Sequence, residues 1–457
     1  MRFSGLQVDG QLGRDGYHFW DYADPSAPAA ETDNVAPTDY MAIVDEVEAD
    51  PVITLNFGSG TAAEAADYVS YLTGTDPTDP LVAARQASGR SAPWPTDVFE
   101  VGNEIYTRYN TGYTATGDYS YANPSAANGG DPAWHGRPAE DADDYAARAL
   151  AYVQAVVAVH PAARIYIPLT QSSWDGWGGP SAAIPRLAGL LEHPSVAGVV
   201  VHQYTLDDGV LGHGVNLEQD AWVLASADFL RPLYQELRET LGTLRRSTPL
   251  EISITEYHTV ANLDILGRVG PTAATALGLA DALMLYSEVG VESAMQHMSL
   301  HLSLEADRLS RSWHVPFSLE GDTVSNRPTY TITKLVAEHL HRQQVRVEAV
   351  SMPRARYALT DGEFEYDMIH AAAYTSPNQQ LSSLMLLNRD LEAAHDVRVQ
   401  VPEGWLVQSA SQMAPGDLWA DVDEANVSVS AAAYGQAGRN IVLTLPAHSF
   451  TTLQLTR

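Results

Sequence analysis

The chain contains no cysteine, which excludes a disulfide framework, a thiolate metal site and a cysteine nucleophile. It has one lysine, Lys334, and only 26 basic residues against 57 acidic ones, for a formal net charge of −31. A surface this negative repels the phosphates of nucleic acid and of anionic lipid, so neither is an expected partner. No run of about eighteen apolar residues occurs, so no membrane-spanning helix is expected. Met1 to Gly10 (MRFSGLQVDG) has neither the basic start nor the apolar stretch of a signal peptide. A soluble protein is therefore expected, cytoplasmic if Met1 is the native start and secreted if residues have been lost ahead of it. The scarcity of lysine has two readings. A GC-rich genome replaces lysine by arginine, whereas a halophile also needs surplus Asp and Glu to keep a hydrated, repulsive surface in strong salt. The acidic surplus favours the second over a plain solvated face.

What is present is an ordinary globular composition, 45% hydrophobic and 18% charged over 457 residues. That length suits a barrel of about 250 residues followed by a β-domain of roughly 100. Up to about residue 343, short β-branched runs alternate with Ala- and Leu-rich amphipathic stretches, the signature of repeated βαβ units. Strands are expected at Phe3 to Val8, Val52 to Phe57, Val98 to Val101, Arg164 to Ile167, Val196 to Val201, Leu250 to Thr255 and Ser293 to Met298. Helices are expected at Pro37 to Glu48, Ala62 to Leu72, Asp143 to Val159, Phe229 to Leu244, Thr272 to Val289 and Tyr330 to Gln343. After residue 344 the runs VRVEAVSM, FEYDMIHAAAYT, LSSLMLLN, HDVRVQVP, VSVSAAAY, NIVLTLP and FTTLQLT alternate and are separated by turn residues, as in an antiparallel sandwich. The expected architecture is α/β: a (β/α)8 TIM-type barrel over residues 1–343, its first strand apparently missing, then a C-terminal antiparallel β-sandwich over 344–457.

Barrel enzymes carry their chemistry where strands end and βα loops begin. Two glutamates stand there, Glu104 in FEVGNEIY, preceded by Asn103, and Glu256 in LEISITEYH. Cleaving a glycosidic bond needs one carboxyl group that delivers a proton to the leaving oxygen and one ionised carboxylate at the anomeric carbon. Two glutamates on one cavity meet that need. A single strand-end glutamate can equally be a rim residue in an ion pair; Asn-Glu on one strand with Thr-Glu-Tyr three strands later is the more specific pattern.

VFEVGNE and ISITEY resemble the acid/base and nucleophile strands of the clan A glycoside hydrolases. The order of the other pieces is similar to family 51, the α-L-arabinofuranosidases. DGYHFWDYADP, LNFGSGTAAEAADYVSYLTG, VHQY, and AMQH followed by SNRPTYTITKLVAEHL resemble successive segments of that family. The resemblance implies a retaining hydrolase with Glu104 as acid/base and Glu256 as nucleophile. It implies that Asn103 binds the hydroxyl beside the anomeric carbon, and that Asn56, His202, Tyr204 and Gln296 line the same sugar subsite. Two departures are visible. LQVDGQ stands where the family's second strand carries Arg-Tyr-Pro-Gly-Gly, and Tyr257 stands where the family usually has tryptophan.

Trp174 and Trp177, with Trp134 in the long Gly- and Asn-rich segment 106–144, are candidate sugar platforms, because indole faces stack on sugar C–H groups; core filling is the competing role. His297 and His301 lack a HExxH pattern, so no metal is expected. Asp417, Asp421 and Asp423 lack the glycine and terminal glutamate of a calcium loop, and GSG at Gly58 to Gly60 lacks the lysine of a phosphate loop. No cofactor is expected. The expected partner is a carbohydrate; association with identical copies is left open. The expected reaction is exo-acting release of terminal arabinofuranosyl groups from plant polysaccharides or oligosaccharides. A β-xylosidase, another β-glycosidase or an endoglycanase of the same clan is the enzymatic alternative. A truncated or degenerate carbohydrate-binding copy is the non-enzymatic one.

Overall fold

The computed structural model describes residues 2–4, 37–57, 60–106, 141–169, 177–206, 225–259, 272–297, 317–320, 323–341, 343–349, 351–359, 362–419 and 427–457. Strands β1 (Arg2–Ser4), β2 (Val52–Leu55), β3 (Val98–Val101), β4 (Arg164–Pro168), β5 (Val196–Tyr204), β6 (Glu251–His258) and β7 (Ser293–Gln296) form one sheet in chain order. The pairs from β1 to β5 are parallel. Between the strands run α1 (Pro37–Glu46), α2 (Ala62–Thr73), α3 (Pro80–Ala87), α4 (Ala142–Val159), α5 (Pro180–Leu191), α6 (Arg231–Leu241) and α7 (Ala273–Glu288). A sheet whose neighbours are also sequence neighbours, each joined through a helix, is barrel topology. The strands read as near-continuous apolar runs because both faces are covered: β2 is buried at every residue.

By its internal contacts the chain divides into two compact units, Met1–His202 with Gln235–Thr255, and Gln203–Tyr234 with Glu256–Arg457. Within the first, Arg164, which opens β4, donates to both oxygens of Glu251, which opens β6, at 2.6 and 2.7 Å, and Tyr166 donates to the same carboxylate. Gly198 of β5 lies between them. A Cβ there would stand 2.6 Å from the Glu251 carbonyl oxygen and 2.7 Å from the Tyr166 ring, so no larger residue fits. This tie sits at the N-terminal ends of the strands, the face of a barrel that serves stability.

In the second unit α7 is buried on every side from Ala273 to Tyr286, as a helix apolar all round must be. After the hairpin of β8 (Phe317–Glu320) and β9 (Thr323–Asn326) and helix α8 (Pro328–His339) come β10 (Gln343–Val345), β11 (Arg354–Leu359), β12 (Gly362–Asp367), β13 (Ile369–Thr375), β14 (Leu381–Asn388), β15 (His395–Gln400), β16 (Leu406–Met413), β17 (Val429–Ala431), β18 (Tyr434–Ala437), β19 (Asn440–Leu445) and β20 (Ser449–Thr456). They form a six-stranded sheet β10-β13-β14-β20-β16-β17, a three-stranded sheet β15-β19-β18 and the hairpin β11-β12. Ile369, Leu384, Leu386, Leu453 and Leu455 of the larger sheet share a core with Ile441, Leu443 and Leu445 of the smaller, which makes the pair a sandwich. β19 alternates exposed and buried residues. The second half of β14 does not alternate, because α7 and α8 cover its other face.

Several elements differ from expectation. FEYDMIHAAAYT is two strands, broken at Met368, whose halves join different sheets. VRVEAVSM is strand only at Val345, and residues 346–349 are exposed. Leu406–Met413 is a strand with little apolar alternation, since most of it is exposed or half-buried. Helices α3 and α5 begin at a proline, and α5 carries Pro185 internally; both tolerate it because a first-turn N–H has no helical partner and one interior bond can be spared when the apolar face is buried.

Candidate active site

In the first unit the acidic candidate stands on a strained turn. β3 ends at Val101, and Gly102 follows at φ +93°, where a Cβ would come within 2.7 Å of Ile105 Cγ1. Asn103 is buried, and Glu104 itself has φ 47°. A left-handed glutamate costs about 1–3 kcal/mol and is kept only where its surroundings hold it. One face of α4 ties the strand ends beside it. Tyr145 donates to the Val101 carbonyl at 2.7 Å, Arg148 to that of Phe57 at 3.2 Å, and Tyr152 to that of Asn56 at 3.1 Å. Residues i, i+3 and i+7 share a helix face, so a single helix satisfies carbonyls at the ends of both β2 and β3. Phe57 packs between these groups, 4.8 Å from the Tyr145 ring and under the Arg148 guanidinium at 4.4 Å.

Glu104 Oε1 lies 2.7 Å from His202 Nδ1, and His202 Nε2 lies 3.2 Å from Thr255 Oγ1. The imidazole is 4% exposed and the glutamate side chain 28%, so the carboxyl group is the more open of the two.

In the second unit Tyr204 donates to Glu256 Oε2 at 2.9 Å, and His297 Nε2 stands 3.9 Å from the same oxygen. His297 also meets the Tyr204 ring edge-on, with centroids 6.2 Å apart. Tyr204 is two residues beyond His202 on β5, so strand alternation sends both side chains to one side of the sheet. Thr255 and Glu256 are successive on β6. Backbone bonds continue past the strands, Leu206 N to Thr259 O at 2.8 Å and His297 N to Tyr257 O at 3.1 Å, holding the rim residues in register. Gln296 ends β7, and its Oε1 accepts from Thr333 Oγ1 at 3.3 Å. The Tyr257 phenol is pushed up to about 12 by burial, against a smaller lowering by its hydrogen bond with Thr333.

Of the residues expected at the site, the structure pairs Glu104 with His202 and Glu256 with Tyr204, and sets Asn103 beside Glu104. Asn56 closes β2, where it is half-buried. Trp177 is not a platform. It is 2% exposed and packs against Tyr145 at 5.2 Å and Tyr106 at 6.0 Å, because α4 and the end of β3 need its area for their own packing. Trp174, Trp134, His301, Asp421 and Asp423 lie outside the described residues. Asp417 accepts from the Trp419 N–H at 2.9 Å, the work of a turn residue. His297, Thr255 and Thr333 were not singled out as site residues by sequence reasoning; only the adjacency of His297 to Gln296 offered a signal. The tyrosine-arginine-tyrosine face of α4 could have been found from its helical spacing.

Residues 16–125 match the family model described as "Alpha-L-arabinofuranosidase 1 domain", a stretch that includes Asn56, Asn103 and Glu104. The chain is 28% identical over 102 residues to probable alpha-L-arabinofuranosidase C of Aspergillus clavatus, covering 21% of this chain and 20% of that protein. The homonymous Aspergillus fumigatus protein is 28% identical over 91 residues, 20% of this chain and 18% of its own. The chain thus matches about a fifth of the length of these curated relatives. In fold it is similar to the alpha-L-arabinofuranosidase of Thermotoga maritima, with TM-score 0.74 and 16% identity over 100% of this chain and 87% of that one. A family 51 alpha-L-arabinofuranosidase of Bifidobacterium longum superposes with TM-score 0.77 and 16% identity, over 99% and 86%. A family 44 xyloglucanase of Paenibacillus polymyxa is further away, with TM-score 0.57 and 10% identity over 92% and 83%. The fold is accordingly that of a TIM-type barrel with a C-terminal β-domain.

Proposed function

We propose that this chain is a retaining glycoside hydrolase that releases terminal α-L-arabinofuranosyl groups, with Glu104 as acid/base and Glu256 as nucleophile. The division into a catalytic barrel, residues 1–343, and a sandwich, 344–457, belongs to the same proposal. The observation that carries it is the differing support of the two strand-end carboxylates, Glu104 against an imidazole and Glu256 under a phenolic hydroxyl. A hydroxyl that donates to a carboxylate favours its charged form, which suits a nucleophile. An imidazole can accept the proton of a neutral acid or donate to its anion, which suits a carboxyl group that changes charge in each half-reaction.

In the first half-reaction Glu256 attacks the anomeric carbon while Glu104 gives its proton to the departing oxygen, and a glycosyl ester forms on Glu256. In the second, Glu104 takes a proton from water, which attacks the same carbon and frees the sugar with its configuration kept. Tyr204 holds Oε2 of Glu256. Asn103 binds the hydroxyl beside the anomeric carbon, and Asn56, His202, Tyr204 and Gln296 complete the subsite. Retention requires carboxyl groups about 5 to 5.5 Å apart.

Hydrolysis of nitrophenyl glycosides tests the reading. Arabinofuranoside should turn over faster than xyloside or glucoside, and proton NMR should record the retained anomer first. Folded protein inactive on all of them would sink the enzymatic proposal in favour of a sugar-binding copy. The charge of −31 adds a proposal of adaptation to strong salt; a melting temperature no higher in molar salt than in dilute buffer would remove it.

A further inference from the structure

Glu256 has a second polar neighbour besides Tyr204. His297 Nε2 lies 3.9 Å from Glu256 Oε2, the same oxygen that accepts from the Tyr204 hydroxyl at 2.9 Å. That separation is too long for a hydrogen bond. It is short enough for charge to act, because a cation within about 4–6 Å changes how readily a carboxylate takes a proton. Two contacts fix the imidazole in place. The His297 backbone N–H donates to the Tyr257 carbonyl at 3.1 Å, tying the end of β7 to β6, and the ring meets that of Tyr204 edge-on at 84°, tying it to β5. The side chain is 29% exposed against 11% for Glu256, so solvent protons reach the imidazole.

An imidazole ordinarily changes charge between about pH 5 and 8. During attack on an anomeric carbon the carboxylate gives up negative charge and the sugar ring becomes positive. An imidazolium beside Oε2 stabilises the resting anion and opposes the charge growing on the sugar; a neutral imidazole does neither. The same cation keeps Glu256 ionised to lower pH. Protonation of His297 thus slows the attack while widening the range in which Glu256 is ionised. We propose that His297 is a positioning residue whose imidazole acts through Glu256, so that Glu256 attacks fastest while that ring is neutral. This rests on the hydrolase reading for the attack, but the coupling of the two titrations is a property of the two side chains. Among the described residues, the Glu256 carboxylate from β6 and the Tyr204 phenol from β5 face the ring, and His258 shares the Glu256 side of β6 by strand alternation.

The test uses the full chain labelled with 13C at glutamate Cδ, with the Glu256 signal assigned by its loss in Glu256→Gln. In wild type this signal should move where an imidazole titrates and again at lower pH, where Glu256 itself takes a proton. His297→Asn should abolish the first movement and bring the second to higher pH, and His297→Gln, a second side chain without a titrating group, should do the same. A Glu256 signal that titrates identically in all three proteins overturns the proposal, whatever the protein does to sugars. Kinetics on nitrophenyl arabinofuranoside then read the attack. Wild-type kcat/KM should fall about tenfold to a shoulder as His297 takes its proton and fall again as Glu256 does, and both variants should lack the shoulder. His202 on Glu104 and His258 are common to all three proteins, so the difference between the profiles belongs to His297. Equal losses at every pH would reduce His297 to a packing residue and overturn the proposal. Coupled titration in a protein inactive on all nitrophenyl glycosides would uphold the coupling and fail only the hydrolase reading.

Discussion

Two groups of partly or fully buried charge in this molecule are built on opposite plans. At the strand ends, Glu104 meets an imidazole and Glu256 a phenol, partners that can pass a proton as well as hold one. Behind the sandwich, Asp281 of α7 meets His370 Nδ1 at 2.7 Å and Arg389 Nη1 at 3.2 Å, Glu288 meets His370 Nε2 at 3.0 Å and Arg231 at 2.7 Å, and Asp228 meets Arg389 at 2.7 Å. There, cations answer anions in a closed circuit beside a cavity of about 440 Å³. Burial and charge alone would rank this second group above the first, since Asp281 is 0% and Arg389 2% exposed. The arginines mark the second group: the guanidiniums of Arg231 and Arg389 cannot give up a proton, and fixed countercharges suit cohesion.

Substitution should break this contrast most sharply at Glu256. Glu256→Ala is expected to lower kcat by about ten-thousandfold or more with azide restoring turnover and inverted product, while the melting temperature hardly moves. Glu104→Ala should cost about a hundred- to ten-thousandfold on poor leaving groups and less on nitrophenyl substrates; equal losses on both classes would contradict its role. Asp281→Asn should do the reverse, removing about 3–5 kcal/mol from the free energy of unfolding in urea by leaving Arg389 and His370 short of an anion, with kcat per folded molecule unchanged. Tyr204→Phe comes next, with kcat/KM lower by about ten- to a hundredfold from one lost bond to a charged group.

A gentler probe of the same contrast is pH. Burial pulls the His370 pKa down, but hydrogen bonds to Asp281 and Glu288 outweigh it and raise it to about 9. A folded-state pKa above the unfolded one stabilises fully below the unfolded value of about 6.5 and is lost as pH rises through about 9. Unfolding free energy should therefore decline over that window, and His370→Gln should flatten the decline. An equal slope in the variant would show that another group sets it.

How much of this was legible follows the physics of each part. The parallel strands were found within a few residues because both-face burial writes unbroken apolar runs, and Glu104 and Glu256 were singled out because the rim of such a sheet is where carboxylates matter. Leu406–Met413 was missed because an exposed strand has no apolar rhythm to read. The circuit of Asp228, Asp281, Glu288, His370 and Arg389 was invisible because its members come from distant segments and none belongs to a motif. Trp177 was misread for a related reason: sequence cannot tell an indole facing a ligand from one facing Tyr145. His297 was missed because its place beside Glu256 arises only through the fold.

The left-handed backbone at residue 104 carries an evolutionary reading. Glycine there would relieve the conformation, so Glu104→Gly should fold about 1 kcal/mol more stably than Glu104→Ala by urea titration. A lineage released from selection for turnover would drift toward that cheaper choice. The difference between the two variants measures what the fold gives up to set a glutamate side chain at the end of β3.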